Sequence, residues 1–501
     1  MGMPDCHPAL RLAGAPPDGC PAPPGQTHLR SINTPPTSKK PCKFAVSLQN
    51  CMVFYSFSHK KPCKSAVSLQ NYMVFLISSL DNRQQIPQNA GERRYPMEIE
   101  RTMSAKVMEL HRVFPCVLVT GARQVGKSTL LRQLLPEGMH YVTLDNELML
   151  LRAKEDPVGF LEEMGSPLCI DEVQYEPRLL RAIKMKVDIT GEPGQYWLTG
   201  SQRFHLMQGV SESLAGRVGL VELYTLSQSE VNGKGSSAEP FEPESFKTRL
   251  GAPVCDISAL YDRIWKGGYP RMFKYAGTTP EDYFSAYLNT YIARDVRALT
   301  QVGDTHAFMR FIRSAAARTA QQVVYADMAK DADVSPNTVK KWLSVLETSG
   351  VVDILQPYYV NTSKRLTKSP KLYFNDTGLC AWLGGWHSAR VLQQGAMAGP
   401  ILETWVYGQL RRSFTNRGIR ANLTYYRNSN GAEVDFLLEQ NGKLYPMEVK
   451  RSSSPRPGDL SGAATIPTAP GVQVQPGIVL CTAMEILPLG RGNYAYPISM
   501  I

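Results

Sequence analysis

Two stretches of the chain carry residues whose types and spacing could do chemistry. In "FPCVLVTGARQVGKSTLLRQLL", Gly121-Ala122-Arg123-Gln124-Val125-Gly126-Lys127-Ser128 fits the spacing G-x-x-x-x-G-K-[ST], and Thr129 follows. The glycines let the backbone wrap an anion, and N–H groups at the helix start point inward at phosphates. Lys127 would contact the β- and γ-phosphates of ATP, and Ser128 would ligate Mg²⁺. The second stretch is "EVDFLLEQNGKLYPMEVK". Glu433 and Asp435 lie two apart on one expected strand, Glu448 and Lys450 two apart on the next, so a hairpin turning at "QNGK" brings these faces together. Asp435 and Glu448 could then hold one or two Mg²⁺ ions while Lys450 orients a water. Glu403, on the amphipathic "PILETWVYGQLRRSF", could add a carboxylate from a helix. As a bare pattern this second set is weak, because charged residues alternate on many solvated strands.

The first stretch has support downstream. Pro115 to Thr120 is a short apolar run suited to a buried parallel strand, followed by the loop and a helix. "SPLCIDEVQ" predicts another buried strand ending in Asp171 and Glu172, with Asp171 near the metal and Glu172 placed to polarise the attacking water. "QYWLTGSQRF" predicts a third, whose polar end, Thr199-Gly-Ser201-Gln202, would lie beside the γ-phosphate, since ligands gather at the carboxyl ends of parallel strands. Ser201 therefore joins the catalytic set. Arg217, in "SLAGRV", is a candidate for sensing transition-state charge, from its own chain or a neighbour's. It reads equally well as an ordinary surface ion pair.

Taken together, "TGARQVGKSTLL", "IDEVQYEPRLLRAIKMKVD", "LTGSQRF" and "SLAGRVGLVELYTLSQSE" resemble the prokaryotic AAA-type ATPases that carry a C-terminal domain of unknown function. The likeness runs from about Met97 to beyond Lys450. It implies that the loop, the acidic pair and the TGS strand serve ATP. The order Glu403, Asp435, Glu448-x-Lys450 resembles the PD-(D/E)XK nuclease superfamily, with one departure: the acidic position reads "EVD", without a Pro-Asp pair. That resemblance implies a nuclease-like fold and leaves open whether the domain cuts nucleic acid or only binds.

Between these regions, residues 229–246 are polar with Gly and Pro, as in a linker, and "EDYFSAYLNTYIARDVRAL" predicts a long amphipathic helix of a lid. "VVYADMAKDADVSPNTVKKWLSVLETSGVVDIL" predicts a helix from Tyr325 to Lys330, a turn, and a second helix with Ser335 as N-cap and Pro336 in its first turn. Val339, Trp342, Leu343 and Leu346 form its apolar face, with Asn337, Lys340 and Lys341 outward. Strands at "VVDILQPYYV" and "KLYF" around the basic "NTSKRLTKSPK" complete a winged helix-turn-helix pattern. Such a module could contact DNA, but winged helices also serve as protein-protein joints.

The chain has 501 residues, 43% of them hydrophobic and 20% charged, which fits a globular protein of several domains. The longest apolar run, "YMVFLISSL", is less than half a membrane span. The net charge of +11 is unevenly spread: residues 1–96 hold 11 basic and 4 acidic residues, the rest 44 and 40. Five of the ten cysteines also precede residue 97, and the other five are far apart without a C-x-x-C pair, so a reducing cytoplasm is expected. "KKPCKFAVSLQNCMVF" at Lys39 recurs as "KKPCKSAVSLQNYMVF" at Lys60. Two units this short could not bury a core, so residues 1–96 are expected to be a translated extension ahead of a start at Met97.

The expected fold class is α/β: a P-loop NTPase parallel sheet domain (97–228), a linker and helical lid (229–308), a winged helix-turn-helix (309–385) and an α/β nuclease-like domain (386–501). The expected function is Mg²⁺-dependent ATP binding and hydrolysis, with DNA, a protein partner or further copies of the chain as partners. The alternative is a nucleotide-gated protein-interaction switch without nuclease activity.

Overall fold

A computed structural model of the chain describes residues 99–201, 210, 213–245, 256–291, 304–360 and 369–501. The expected extension and repeat, Gln202, Cys255, the end of the expected lid helix and most of the basic segment expected as a wing lie outside the described residues.

The first layer is a five-stranded parallel sheet. Its strands are β1 (Cys116–Thr120), β2 (His140–Thr143), β3 (Leu168–Asp171), β4 (Tyr196–Thr199) and β5 (Val218–Glu222), in the order β2-β3-β4-β1-β5. Every residue of β1, β3 and β4 is buried, because these strands are flanked by neighbours and covered by helices on both faces. Helices α1 (Met103–His111), α2 (Lys127–Leu134) and α3 (Arg178–Thr190) supply part of that cover. Parallel pairing puts the ends of β1, β3 and β4 on one edge, so the three motifs that follow them converge there.

After the helix Pro280–Tyr291, α4 (Thr305–Ala317), α5 (Tyr325–Ala332) and α6 (Pro336–Thr348) pack against a small antiparallel sheet of β6 (Gln321–Gln322), β7 (Val352–Leu355) and β8 (Lys371–Phe374), ordered β6-β8-β7. Ser335 Oγ accepts the Thr338 N–H, and Pro336 occupies the first turn of α6. Val339, Trp342, Leu343 and Leu346 are buried; Trp342 meets Phe308 edge-on at 5.2 Å between centroids. Asn337, Lys340 and Lys341 are exposed. Gly350, at φ 73°, ends the helix and lies against the phosphate loop, where a Cβ would stand 3.4 Å from the Ala122 nitrogen.

The C-terminal part is built on the 18-residue helix α7 (Ala398–Thr415) and a mixed sheet. Strands β9 (Leu423–Arg427), β10 (Glu433–Gln440), β11 (Lys443–Lys450), β13 (Ile478–Cys481), β14 (Leu487–Gly490) and β15 (Asn493–Pro497) run in the order β14-β15-β13-β11-β10-β9, with β12 (Gln473–Val474) pairing β11. Asn441 and Gly442, both at positive φ, form the two-residue turn between β10 and β11 that fixes the hairpin register at Gln440 opposite Lys443. One continuous apolar core links Val117 and Val119 of the first sheet, Tyr269, Phe308 of α4, Trp405 of α7 and Leu480 of β13.

Candidate functional site

The phosphate loop is shaped by its glycines. Gly121 has φ 136°, and a Cβ there would sit 2.1 Å from the Leu223 carbonyl oxygen. Gly126, at φ 98°, stands at the N-terminus of α2. Lys127 is buried, and its Nζ donates to the carbonyls of Gly121 (3.2 Å) and Ala122 (2.9 Å), which holds the ammonium across the mouth of the loop.

The strand ends complete the site. Ser128 Oγ donates to Asp171 Oδ1 at 2.8 Å, Thr199 Oγ1 donates to the same oxygen, and Tyr141 OH donates to Asp171 Oδ2 at 2.7 Å. The Asp171 carboxylate also pushes the Tyr141 hydroxyl pKa well up, after burial, which is the larger cause. Thr199 Oγ1 in turn accepts the Glu172 N–H at 3.0 Å. Glu172 takes the left-handed conformation, φ 58°. Its Oε2 accepts from Ser201 Oγ (3.1 Å) and from Gln174 Nε2. Lys127, Ser128, Asp171, Glu172, Thr199 and Ser201 are thus brought together.

A cavity of about 660 Å³ opens over Lys127, Ser128 and Glu172, with Arg123, Gln124, Gly126 and Thr129 also lining it from the same part of the chain. Its other wall carries Arg271 and Lys274, which follow "GGYP". A neighbouring, less polar cavity of about 590 Å³ is lined by Ile99, Leu130 and Leu226 and shares Gly126, Thr129, Arg132, Pro270 and Lys274 with the first.

Arg217 is not brought to this site. It precedes β5, its carbonyl accepts the Cys116 N–H, and its guanidinium donates to Asp188 and to the Ala215 carbonyl. That is the amino end of the sheet, roughly 15 Å from the loop by strand rise. The expectation that Arg217 senses charge within its own chain is therefore corrected: the parallel order sends β1 and β5 away from it together.

Three functional candidates were not legible as motifs. Arg271 and Lys274 had only the turn signal "GGYP" before them. Arg101, 5% exposed, donates to the Val125 carbonyl of the loop (2.8 Å), to the Tyr224 carbonyl (2.7 Å) and to Glu230 Oε1 (3.1 Å).

The hairpin residues converge on α7 with an unexpected partner. Lys371, first residue of β8 and 3% exposed, donates to Glu403 Oε1 at 3.1 Å and lies 2.8 Å from Glu433 Oε1 and 3.7 Å from Asp435 Oδ1. Tyr373 OH also donates to Glu403 Oε1, at 2.6 Å, and the Val449 N–H donates to Asp435 Oδ2 at 2.9 Å. Lys450 Nζ donates to Glu448 Oε2 at 3.1 Å. Burial and the Asp435 carboxylate push Glu448 up to about 8, outweighing Lys450. Burial, then Asp435, push Glu403 up to about 7. A lone lysine heading the apolar "KLYF" was the available signal for a buried cation.

The sheet order and phosphate site define a P-loop ATPase of AAA type, and residues 113–232 match the AAA domain family. Residues 257–390 and 398–501 match two families described as domains of unknown function, DUF8612 and DUF4143. The uncharacterized proteins Rv2008c of Mycobacterium tuberculosis and Mb2031c of Mycobacterium bovis are each 32% identical over 366 residues, covering 72% of this chain and 76% of theirs. The chain belongs to the family of these proteins. Among solved structures, the Walker-type ATPase PABY2304 of Pyrococcus abyssi matches 57% of this chain and 96% of its own at 16% identity, TM-score 0.39. The AMPPCP-bound DnaA of Aquifex aeolicus matches 49% and 85% at 14% identity, TM-score 0.25. Among the described residues, no helix is long and apolar enough to cross a membrane, and Cys116, Cys169, Cys380 and Cys481 are buried free thiols.

Proposed function

We propose that this ATPase hydrolyses ATP with Mg²⁺ and that the nucleotide state is passed to the helix-turn-helix region. The observation that carries the reading is the Ser128–Asp171 hydrogen bond of 2.8 Å, beside Lys127 and facing Glu172 across one cavity. A hydroxyl in the first turn of α2 and a carboxylate at the end of β3 are the oxygen donors Mg²⁺ takes, so Ser128 and Asp171 fit the ion. When bound, Mg²⁺ would neutralise phosphate charge. Loop N–H groups and Lys127 bind the phosphates, the less polar cavity receives the base, and Glu172 orients the attacking water and takes its proton. Ser201 and Gln174 hold Glu172 in place. Arg271 and Lys274 face the phosphates from the opposite wall and take the charge-sensing role first assigned to Arg217.

The closeness of Gly350, just past the end of α6, to Ala122 of the loop offers a direct route between the two. Asn337, Lys340 and Lys341, exposed on that helix, suit a phosphate backbone, so duplex DNA is the proposed partner. The test is phosphate release by the full chain with and without Mg²⁺ and duplex DNA, alongside Lys127→Ala and the double variant Lys340→Glu/Lys341→Glu. Turnover should vanish in Lys127→Ala. The double variant should keep basal turnover and lose DNA affinity, with the salt slope of binding smaller by about 2. DNA that neither binds nor stimulates would favour the protein-interaction switch instead.

A further inference from the structure

The hairpin carboxylates were expected to hold a metal ion, and their surroundings do not fit one. Glu403 Oε1 and Glu433 Oε1 face the Lys371 ammonium; Asp435 offers Oδ1 to the same ammonium and Oδ2 to the Val449 N–H; Glu448 Oε2 is taken by Lys450. The cluster therefore already contains a cation. Nor is Lys371 a surface side chain that swings aside. It is 3% exposed, its ammonium lies 5.4 Å from the centre of the Tyr425 ring, and its backbone pairs with Leu355 on one side and Gln322 on the other, as β8 is the middle strand of its sheet. Withdrawing it would leave three carboxylates facing one another and would bury an unpaired ammonium elsewhere. Mg²⁺ sheds water reluctantly and needs an octahedral set of oxygens, and among the described residues no group of three or more carboxylates, histidines or cysteines is arranged to hold a metal ion.

We infer that Lys371 takes the place of a metal ion in this cluster, so that the nuclease-like domain holds no divalent cation between Glu403, Asp435 and Glu448, and that the cluster is an ionic joint fastening β8 to α7 and β10. The lysine comes from the small antiparallel sheet and the carboxylates from the C-terminal domain, so one buried ion group ties the two together. This inference is independent of the ATP site and would survive its failure.

The experiment is Mn²⁺ binding to the nucleotide-free full chain, followed by electron paramagnetic resonance, for the wild type, Asp435→Asn, Lys371→Met and the double variant Lys371→Met/Asp435→Asn. Ions held near Asp171 contribute equally to all four. The wild type and Asp435→Asn should bind the same number of ions, while Lys371→Met gains one that the double variant lacks. A site present in the wild type and lost in Asp435→Asn overturns the inference, and this comparison decides the matter even if Lys371→Met does not fold. A folded Lys371→Met that gains nothing also overturns it, since the lysine would then not be what excludes the ion. Single-stranded, duplex and branched DNA incubated with the wild type and Mn²⁺ should remain uncut; products that Glu448→Ala fails to make would overturn it as well.

Discussion

Arg101 reaches 24 positions along the chain to hold the Val125 carbonyl at 2.8 Å, so the phosphate loop is braced from beneath by a buried guanidinium. The same side chain pairs with Glu230, whose side chain is 0% exposed and whose Oε1 also accepts the Thr102 N–H. The loop conformation thus depends on a group outside the motif.

Arg101→Gln should lower the unfolding free energy by about 3–5 kcal/mol, because Glu230 is left buried without its partner. It should also raise the KM for ATP severalfold. Adding Glu230→Gln should recover part of the stability but none of the KM. Denaturant titration beside steady-state turnover measures both; recovery of KM together with stability would show that Arg101 acts through folding alone.

Glu172→Gln should reduce turnover by about 10²–10⁴-fold while ATP affinity stays within about twofold. Ser201→Ala, which removes one hydrogen bond to Glu172, should cost about tenfold or less. Turnover and binding of a fluorescent ATP analogue check the pair. Full activity in Glu172→Gln would mean that another group positions the water.

Arg271→Ala should lower kcat by at least about tenfold, since the cavity wall loses the cation that the proposed mechanism sets against the transferring phosphoryl. Arg217→Ala should leave kcat within about twofold and change stability by about 1 kcal/mol or less, as expected for an exposed pair with Asp188. A large loss in Arg217→Ala would indicate that a neighbouring copy supplies this arginine to the site.

Glu448 should make stability fall as pH rises. Its folded pKa is raised from the ordinary 4.5 to about 8, so the folded state favours its protonated form. That contribution is complete below the unfolded value and is lost as pH climbs through the folded one. Between about pH 5 and pH 9 the wild-type Tm should decline more steeply than that of Glu448→Gln, which stays neutral throughout. Parallel Tm profiles of the two proteins would contradict the assignment.

Much of the nucleotide site is determined by local sequence. Gly121, Gly126, Lys127 and Ser128 must be neighbours to wrap a phosphate, and an apolar strand before each motif is visible as a run of buried residues. The caps of α6 and its apolar face are likewise local, set by Ser335, Pro336 and helical spacing. The Asn441-Gly442 turn fixes which faces of β10 and β11 meet. Other relationships depend on distances that no short window contains. Sheet order decided that Arg217 lies at the far end from the loop, and chain return decided that Arg101 lies under it. Lys371 gives the clearest case. From sequence alone, Asp435, Glu448 and Lys450 offer a candidate metal centre to which Glu403 could add a carboxylate, because the hairpin register fixes which of the strand side chains converge. Whether the converged carboxylates are neutralised by an ion from solvent or by an ammonium from elsewhere in the chain depends on what the fold packs against them. Here the docking of β8 beside α7 and β10 buries a lysine among them, a long-range event set by tertiary packing.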